Sequence, residues 1–182
     1  MTVTSNGYGS MGFLGNPGEP ATGSYVVPVA GAGCGDQRDA IIAEYPQYGA
    51  SWTPGCGDFT NDGHSEHFSF GELKSPDADW AILTLNLLEG LEVIRMTEGG
   101  SPITITRGYS TPAHNFQVSQ GTWPNSQHIY GDAADMATGG VQATWDTLSG
   151  AATVALACVE PENLSTISHV HADWRGSCPP GW

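Results

Sequence analysis

The 182 residues suffice for one domain with a sizeable core, and 25 glycines, 12 prolines and 6 tryptophans with only 13% charged residues describe a loop-rich fold rather than a helical bundle or a disordered tail. The net charge of −14 arises from scarce base, since Lys74 is the single lysine and four arginines complete the five cations, so nucleic acid is excluded as a partner. No apolar run approaches the length needed to span a bilayer.

Residues 1–62 are dominated by Gly, Pro, Ser and Thr, broken by one short helical pattern, DQRDAIIAEY, between Cys34 and Cys56. They read as a loop-rich, disulfide-held N-terminal extension, and residues 63–182 as the functional domain. Four cysteines, Cys34, Cys56, Cys158 and Cys178, lack CxxC spacing, which argues for two disulfides over a thiolate metal site. Of the three possible pairings, Cys34 with Cys56 and Cys158 with Cys178 each close a local loop and are expected. Disulfides imply an oxidising, extracytoplasmic setting. The polar start MTVTSNGYGS carries no export signal, so that setting implies a mature chain from which the signal has been removed.

The pattern then changes. Trp80, Leu83, Leu87, Leu88, Leu91, Val93 and Ile94 recur at helical spacing and end at Gly99 and Gly100, predicting a helix. SPITITRGYS alternates β-branched residues as a short strand, and TPAHNFQVSQGTWPNSQ follows as a long loop. ATVALACV and SHVHADW are two further predicted strands. No internal repeat suggests a solenoid or propeller.

Six histidines, at 64, 67, 114, 128, 169 and 171, are the available nitrogen ligands. The two-residue period of a strand sends His169 and His171 to one face, a costly patch unless it meets solvent, a metal or an active site. A catalytic zinc site needs three N or O ligands and an open position, which His128, Asp135 and one of His169 or His171 would supply. His64 and His67, in GHSEHF, are a rival pair without an evident third partner and read better as a rim or capping segment.

At FSFGEL, LLEGLEVIR, GGSPITITRGYSTPAHN, SQHIYGDAADMA and HVHADWRG, over about residues 66–176, the chain resembles the zinc D-alanyl-D-alanine carboxypeptidases, which share their fold with the hedgehog signalling domain. The S-x-H-x-x-G-x-A-x-D and H-x-D-x-R-G elements carry the resemblance. It implies an α+β fold, a small antiparallel sheet with packed helices and a zinc ion in a cleft across the sheet. It also implies His128, Asp135 and His171 as the zinc ligands, with Gly131 permitting the turn between the first two.

Two positions depart from that pattern. The family commonly places an acid three residues before its last zinc histidine, as general base; here Ser168 stands there, and a serine hydroxyl cannot take that proton at neutral pH. His169 is the substitute, either as base or as a residue orienting His171, with Glu160 and Glu162 placed behind it. The family also reads G-Y-R where this chain has Ser110, so the arginine that would hold a substrate carboxylate is missing. Arg107 would lie on the opposite side of an unbroken strand, but a bulge at Gly108 would bring it back. Arg175 is a further candidate, and Ser110 and Ser126 are counted with Arg107 as substrate contacts.

The expected function is therefore a secreted, monomeric zinc hydrolase cleaving amide bonds in D-amino-acid-containing peptidoglycan peptides, as a D,D-carboxypeptidase or endopeptidase. The alternative is a non-catalytic zinc-containing binding module on the same fold, or a divergent hydrolase of another substrate.

Overall fold

A computed structural model of the protein describes residues 25–26, 54–55, 64–123, 126–162 and 167–182. In chain order these form β1 (Tyr25–Val26), β2 (Pro54–Gly55), α1 (Phe70–Leu73), β3 (Leu83–Thr84), α2 (Leu85–Thr97), β4 (Ile105–Arg107), α3 (Pro112–Ser119), a 3₁₀ turn (Gln127–Tyr130), β5 (Ala133–Ala137), α4 (Gln142–Val154), β6 (Cys158–Val159) and β7 (His169–Asp173). The architecture is α+β. A four-stranded sheet in the order β4-β5-β7-β6 is antiparallel throughout, and β2, β1 and β3 make a second, smaller sheet.

The four-stranded sheet has two unlike faces because its side chains alternate. Ala134, Met136, Val170 and Ala172 point to one side and join Leu87, Leu88, Leu91 and Ile94 of α2 and Leu148, Ala151 and Ala152 of α4 in one buried apolar cluster. Val26 of β1 belongs to the same cluster, so the N-terminal segment contributes to this core. Asp135, His171 and Asp173 point to the other side, where the candidate site lies.

Helix α2 begins later than its apolar spacing predicts. Thr84, whose side chain accepts from the Leu87 amide at 3.1 Å, is its N-cap, so Trp80 and Leu83 precede the helix and pack as extended chain. The predicted loop 111–127 instead contains α3. Thr111 accepts from the His114 amide at 3.1 Å and Pro112 occupies the first turn, a start signal that outweighs the polar composition. ATVALACV is also corrected. Its first three residues are the end of α4, whose buried Leu148, Ala151 and Ala152 follow helical spacing, and only Cys158 and Val159 pair as strand.

The expected strands at 105–107 and 169–173 are present, and Cys158 is bonded to Cys178, as the local-loop argument predicts. The predicted Cys34–Cys56 bridge and the helix in DQRDAIIAEY lie outside the described residues.

Candidate metal centre and active site

His128 sits on a 3₁₀ turn that is fixed at both ends. The Ser126 hydroxyl accepts from the His128 amide at 3.4 Å, and Gly131 closes the turn in the left-handed region at φ 71°. A Cβ on Gly131 would lie 1.8 Å from the Ile82 carbonyl oxygen, so glycine is required there for close approach as well as for its backbone angle. Ser126 is thus a capping residue, whatever else it contacts.

Asp135 and His171 face each other on β5 and β7 as register partners. Ligand atoms of His128, Asp135 and His171 all lie within 4.8 Å of one another. His171 Nδ1 is 2.8 Å and His128 Nε2 3.2 Å from the same oxygen, Asp135 Oδ1.

The remaining ring nitrogens fix the tautomers. His128 Nδ1 is 2.8 Å from the Gly108 carbonyl, which can only accept, so Nδ1 carries the proton. Burial depresses the His128 pKa to about 4, with the charge of Asp135 opposing the shift and that of Arg107 adding to it. His128 is therefore neutral, and its unprotonated Nε2 faces a carboxylate oxygen. Two lone-pair atoms 3.2 Å apart call for a cation between them. His171 Nε2 donates to Asp173 Oδ2 at 3.3 Å, leaving Nδ1 directed at Asp135. Burial alone would lower the His171 pKa, but hydrogen bonds to Asp135 and Asp173 raise it to about 10. In the metal-free protein a proton on Nδ1 links His171 to Asp135. Burial favours protonation of Asp135, yet His128 and His171 keep it well below the usual carboxylate range. Two nitrogens with defined tautomers and one ionised carboxylate are a fit donor set for a divalent metal.

Beyond the trio, Asp173 is fully buried and held from behind by Arg175, whose Nε donates at 2.6 Å to Oδ1 and whose terminal nitrogen donates to Oδ2. The Trp182 ring lies edge-on to His171 at 5.8 Å between centroids, and the Arg175 guanidinium stacks over it at 4.9 Å. Arg175 is thus engaged in holding the ligand assembly. Sequence reasoning misses Asp173 as a functional residue, although its spacing of two from His171 on a strand already places both on one face.

Arg107 is brought to the site face by a bulge, as anticipated, but the extra residue is Thr106 rather than Gly108. Ile105 opposes Met136 while Arg107 opposes Asp135; an unshifted register would set Arg107 against Ala134 on the core side. Gly108 has another role: a Cβ there would lie 2.6 Å from the Leu73 carbonyl oxygen. Arg107 Nε donates to Ser110 Oγ at 2.9 Å and its terminal nitrogen to Asn115 Oδ1. A cavity of about 230 Å³ is lined by Lys74, Arg107 and His114 among others, and none of His128, Asp135 and His171 lines it.

Among the proton-acceptor candidates, His169 occupies the register position beside Ala137, with Nδ1 3.2 Å from the exposed Ser168 hydroxyl. Glu162 accepts from Gln142 of α4 at 3.1 Å, away from the site. His67 is 2.7 Å from Glu92, which pins its loop to the middle of α2.

A family model described as Peptidase M15 matches residues 65–173, more than half of the chain and nearly the span over which the motifs carry their resemblance. The chain belongs to the peptidase M15 family. No curated protein matches it. M15 peptidases are metal-dependent, and in this M15 chain His128, Asp135 and His171 form the possible metal site. No helix among the described residues is long and apolar enough to cross a membrane.

Proposed function

We propose that the protein is an extracytoplasmic zinc peptidase, of the hedgehog/DD-peptidase fold, that removes the C-terminal residue from D-alanyl-D-alanine-type peptidoglycan peptides. The observation that carries this reading is the convergence of His128 Nε2, His171 Nδ1 and Asp135 Oδ1 with both histidine tautomers set by outside partners. These three atoms would hold the ion. Bound zinc supplies a Lewis acid for the scissile carbonyl and a lowered pKa for the attacking water.

The chain's own residues do the positioning. Arg107, opposite Asp135 on the neighbouring strand, offers a positive charge at one end of the site in a chain with only five cations. It supplies the recognition of a substrate carboxylate that Ser110 cannot, while Ser110 and Asn115 orient its guanidinium. A cation placed there favours carboxypeptidase over endopeptidase action. The Cys158–Cys178 disulfide supports an extracytoplasmic setting.

The test is metal content followed by hydrolysis. Purified protein is expected to carry about one zinc per chain, lost in His128→Ala and Asp135→Ala, and to release D-alanine from an N-acylated D-alanyl-D-alanine peptide but not from its L,L isomer. Stoichiometric zinc in the double variant would show that the ligands lie elsewhere. Retained zinc with no cleavage of D,D peptides or peptidoglycan would favour a binding module.

A further inference from the structure

Amide hydrolysis requires a group that accepts a proton from water and returns it to the leaving nitrogen. The sheet register favours one that sequence reasoning places behind His169, because it fixes a position the sequence leaves open. On β6 and β7, Cys158 opposes Asp173 and Val159 opposes Ala172. The ladder continues one residue further, with the Glu160 amide donating to the His171 carbonyl at 3.1 Å, so Glu160 and His171 are directly opposed. Val159 packs against the core cluster, and Asp173, opposite Cys158, reaches His171 on the other face. Alternation therefore directs Glu160 to the site face.

The result is one row across the sheet, from Arg107 through Asp135 and His171 to Glu160, the residue that follows β6. Directly opposed residues in an antiparallel pair have Cβ atoms about 4.5–5.5 Å apart, whereas His169 lies two positions along β7 from His171, about 6.5 Å. Among the described residues the half-buried Glu160 carboxylate has no hydrogen-bond or ion-pair partner, while His169 has Ser168 beside it.

We infer that Glu160 is the proton-transfer residue of this site, acting at the opposite end of the row from Arg107. Its carboxylate takes a proton from water as the water oxygen bonds to the carbonyl carbon. It then gives that proton to the amide nitrogen as the C–N bond breaks, so acid and amine leave and Glu160 ends as it began. A substrate laid along the row places its carboxylate toward Arg107 and its scissile bond over Asp135 and His171, beside Glu160.

This inference rests on the peptidase reading. Glu160→Gln and Glu160→Ala are measured beside His169→Gln, using an N-acylated D-alanyl-D-alanine peptide, with zinc content and equilibrium peptide binding as readouts apart from turnover. Both Glu160 variants are expected to keep about one zinc and wild-type peptide affinity while kcat falls on the order of 10²–10⁴-fold. His169→Gln is expected to change kcat by less than about tenfold, the margin that separates a supporting residue from the proton carrier. An active wild type whose kcat is unchanged in Glu160→Gln, or whose kcat falls only in His169→Gln, overturns the inference and leaves the peptidase reading standing. Loss of zinc or of peptide binding in Glu160→Gln overturns it too, since the residue would then serve structure or binding. A wild type that cleaves no D,D peptide overturns both.

Discussion

At the scale of single residues, the two histidines of the candidate metal site are arranged by what stands behind them. The Gly108 carbonyl stands behind His128 and Asp173 behind His171, each partner holding one ring nitrogen so that the other faces Asp135. With a pKa raised to about 10, His171 carries a proton at neutral pH that a metal must displace. Metal uptake at pH 7 is therefore expected to release close to one proton per ion, measurable by calorimetry in buffers of differing ionisation enthalpy. Asp173→Asn removes one of the interactions that raise the His171 pKa. It is expected to reduce proton release at the alkaline end and to weaken metal binding about 10–100-fold in a chelator competition. Unchanged affinity in that variant would assign Asp173 to Arg175 alone. Much of this was legible: the family resemblance carried by S-x-H-x-x-G-x-A-x-D and H-x-D-x-R-G implies His128, Asp135 and His171 as candidate ligands, where strand period alone leaves the third open between His169 and His171. The partners behind them were not, because the Gly108 carbonyl and the row through Glu160 arise only when separate strands align.

At the scale of elements, turns and bulges carry the precision that strands and helices lack. The bulge at Thr106 converts Arg107 from a residue facing the core side into one facing the site, which strand alternation alone predicts wrongly. Gly131 closes the 3₁₀ turn of His128 against the second sheet, its carbonyl accepting from the Thr84 amide at 2.8 Å. Gly131→Ala drives a Cβ into the Ile82 carbonyl and is expected to destabilise the protein by roughly 3 kcal/mol and to weaken metal binding, because the turn holding His128 must shift. Gly150→Ala is the contrast. That glycine lies within α4, and a Cβ added there would meet no atom within 4 Å, so alanine should stabilise by roughly 0.5–1 kcal/mol. Thermal melts of the two variants check the pair, and equal effects would contradict the role given to the Ile82 contact. Element type was harder to read where signals competed. Thr111-Pro112 is a helix start embedded in polar sequence, and the β-branched and alanine residues of ATVALACV suit a helix end as well as a strand.

At the scale of the whole molecule, the two histidines of the candidate site give opposite pH dependences to the metal-free protein. His128 has a folded pKa near 4, below its unfolded value, so the stability from its neutral form is full above about pH 6.5 and is lost as pH falls toward 4. His171 has a folded pKa near 10, above its unfolded value, so its contribution is full below about pH 6.5 and is lost as pH rises toward 10. Asp77, Glu92, Asp135 and Asp173, all held below their ordinary values despite burial, add losses only at lower pH, as they protonate. The stability of metal-free protein should consequently peak near pH 6.5 and decline on both sides. Metal replaces the proton on His171, so metal-loaded protein should lose the alkaline decline, and its advantage over the stripped form should widen as pH rises and the site is freed of protons. Calorimetric melting of stripped and loaded protein between pH 4 and pH 9 measures both curves. A stripped protein whose stability rises steadily to pH 9 would show that no proton bridges His171 and Asp135, and with it the case for a cation at that point would lose its electrostatic support.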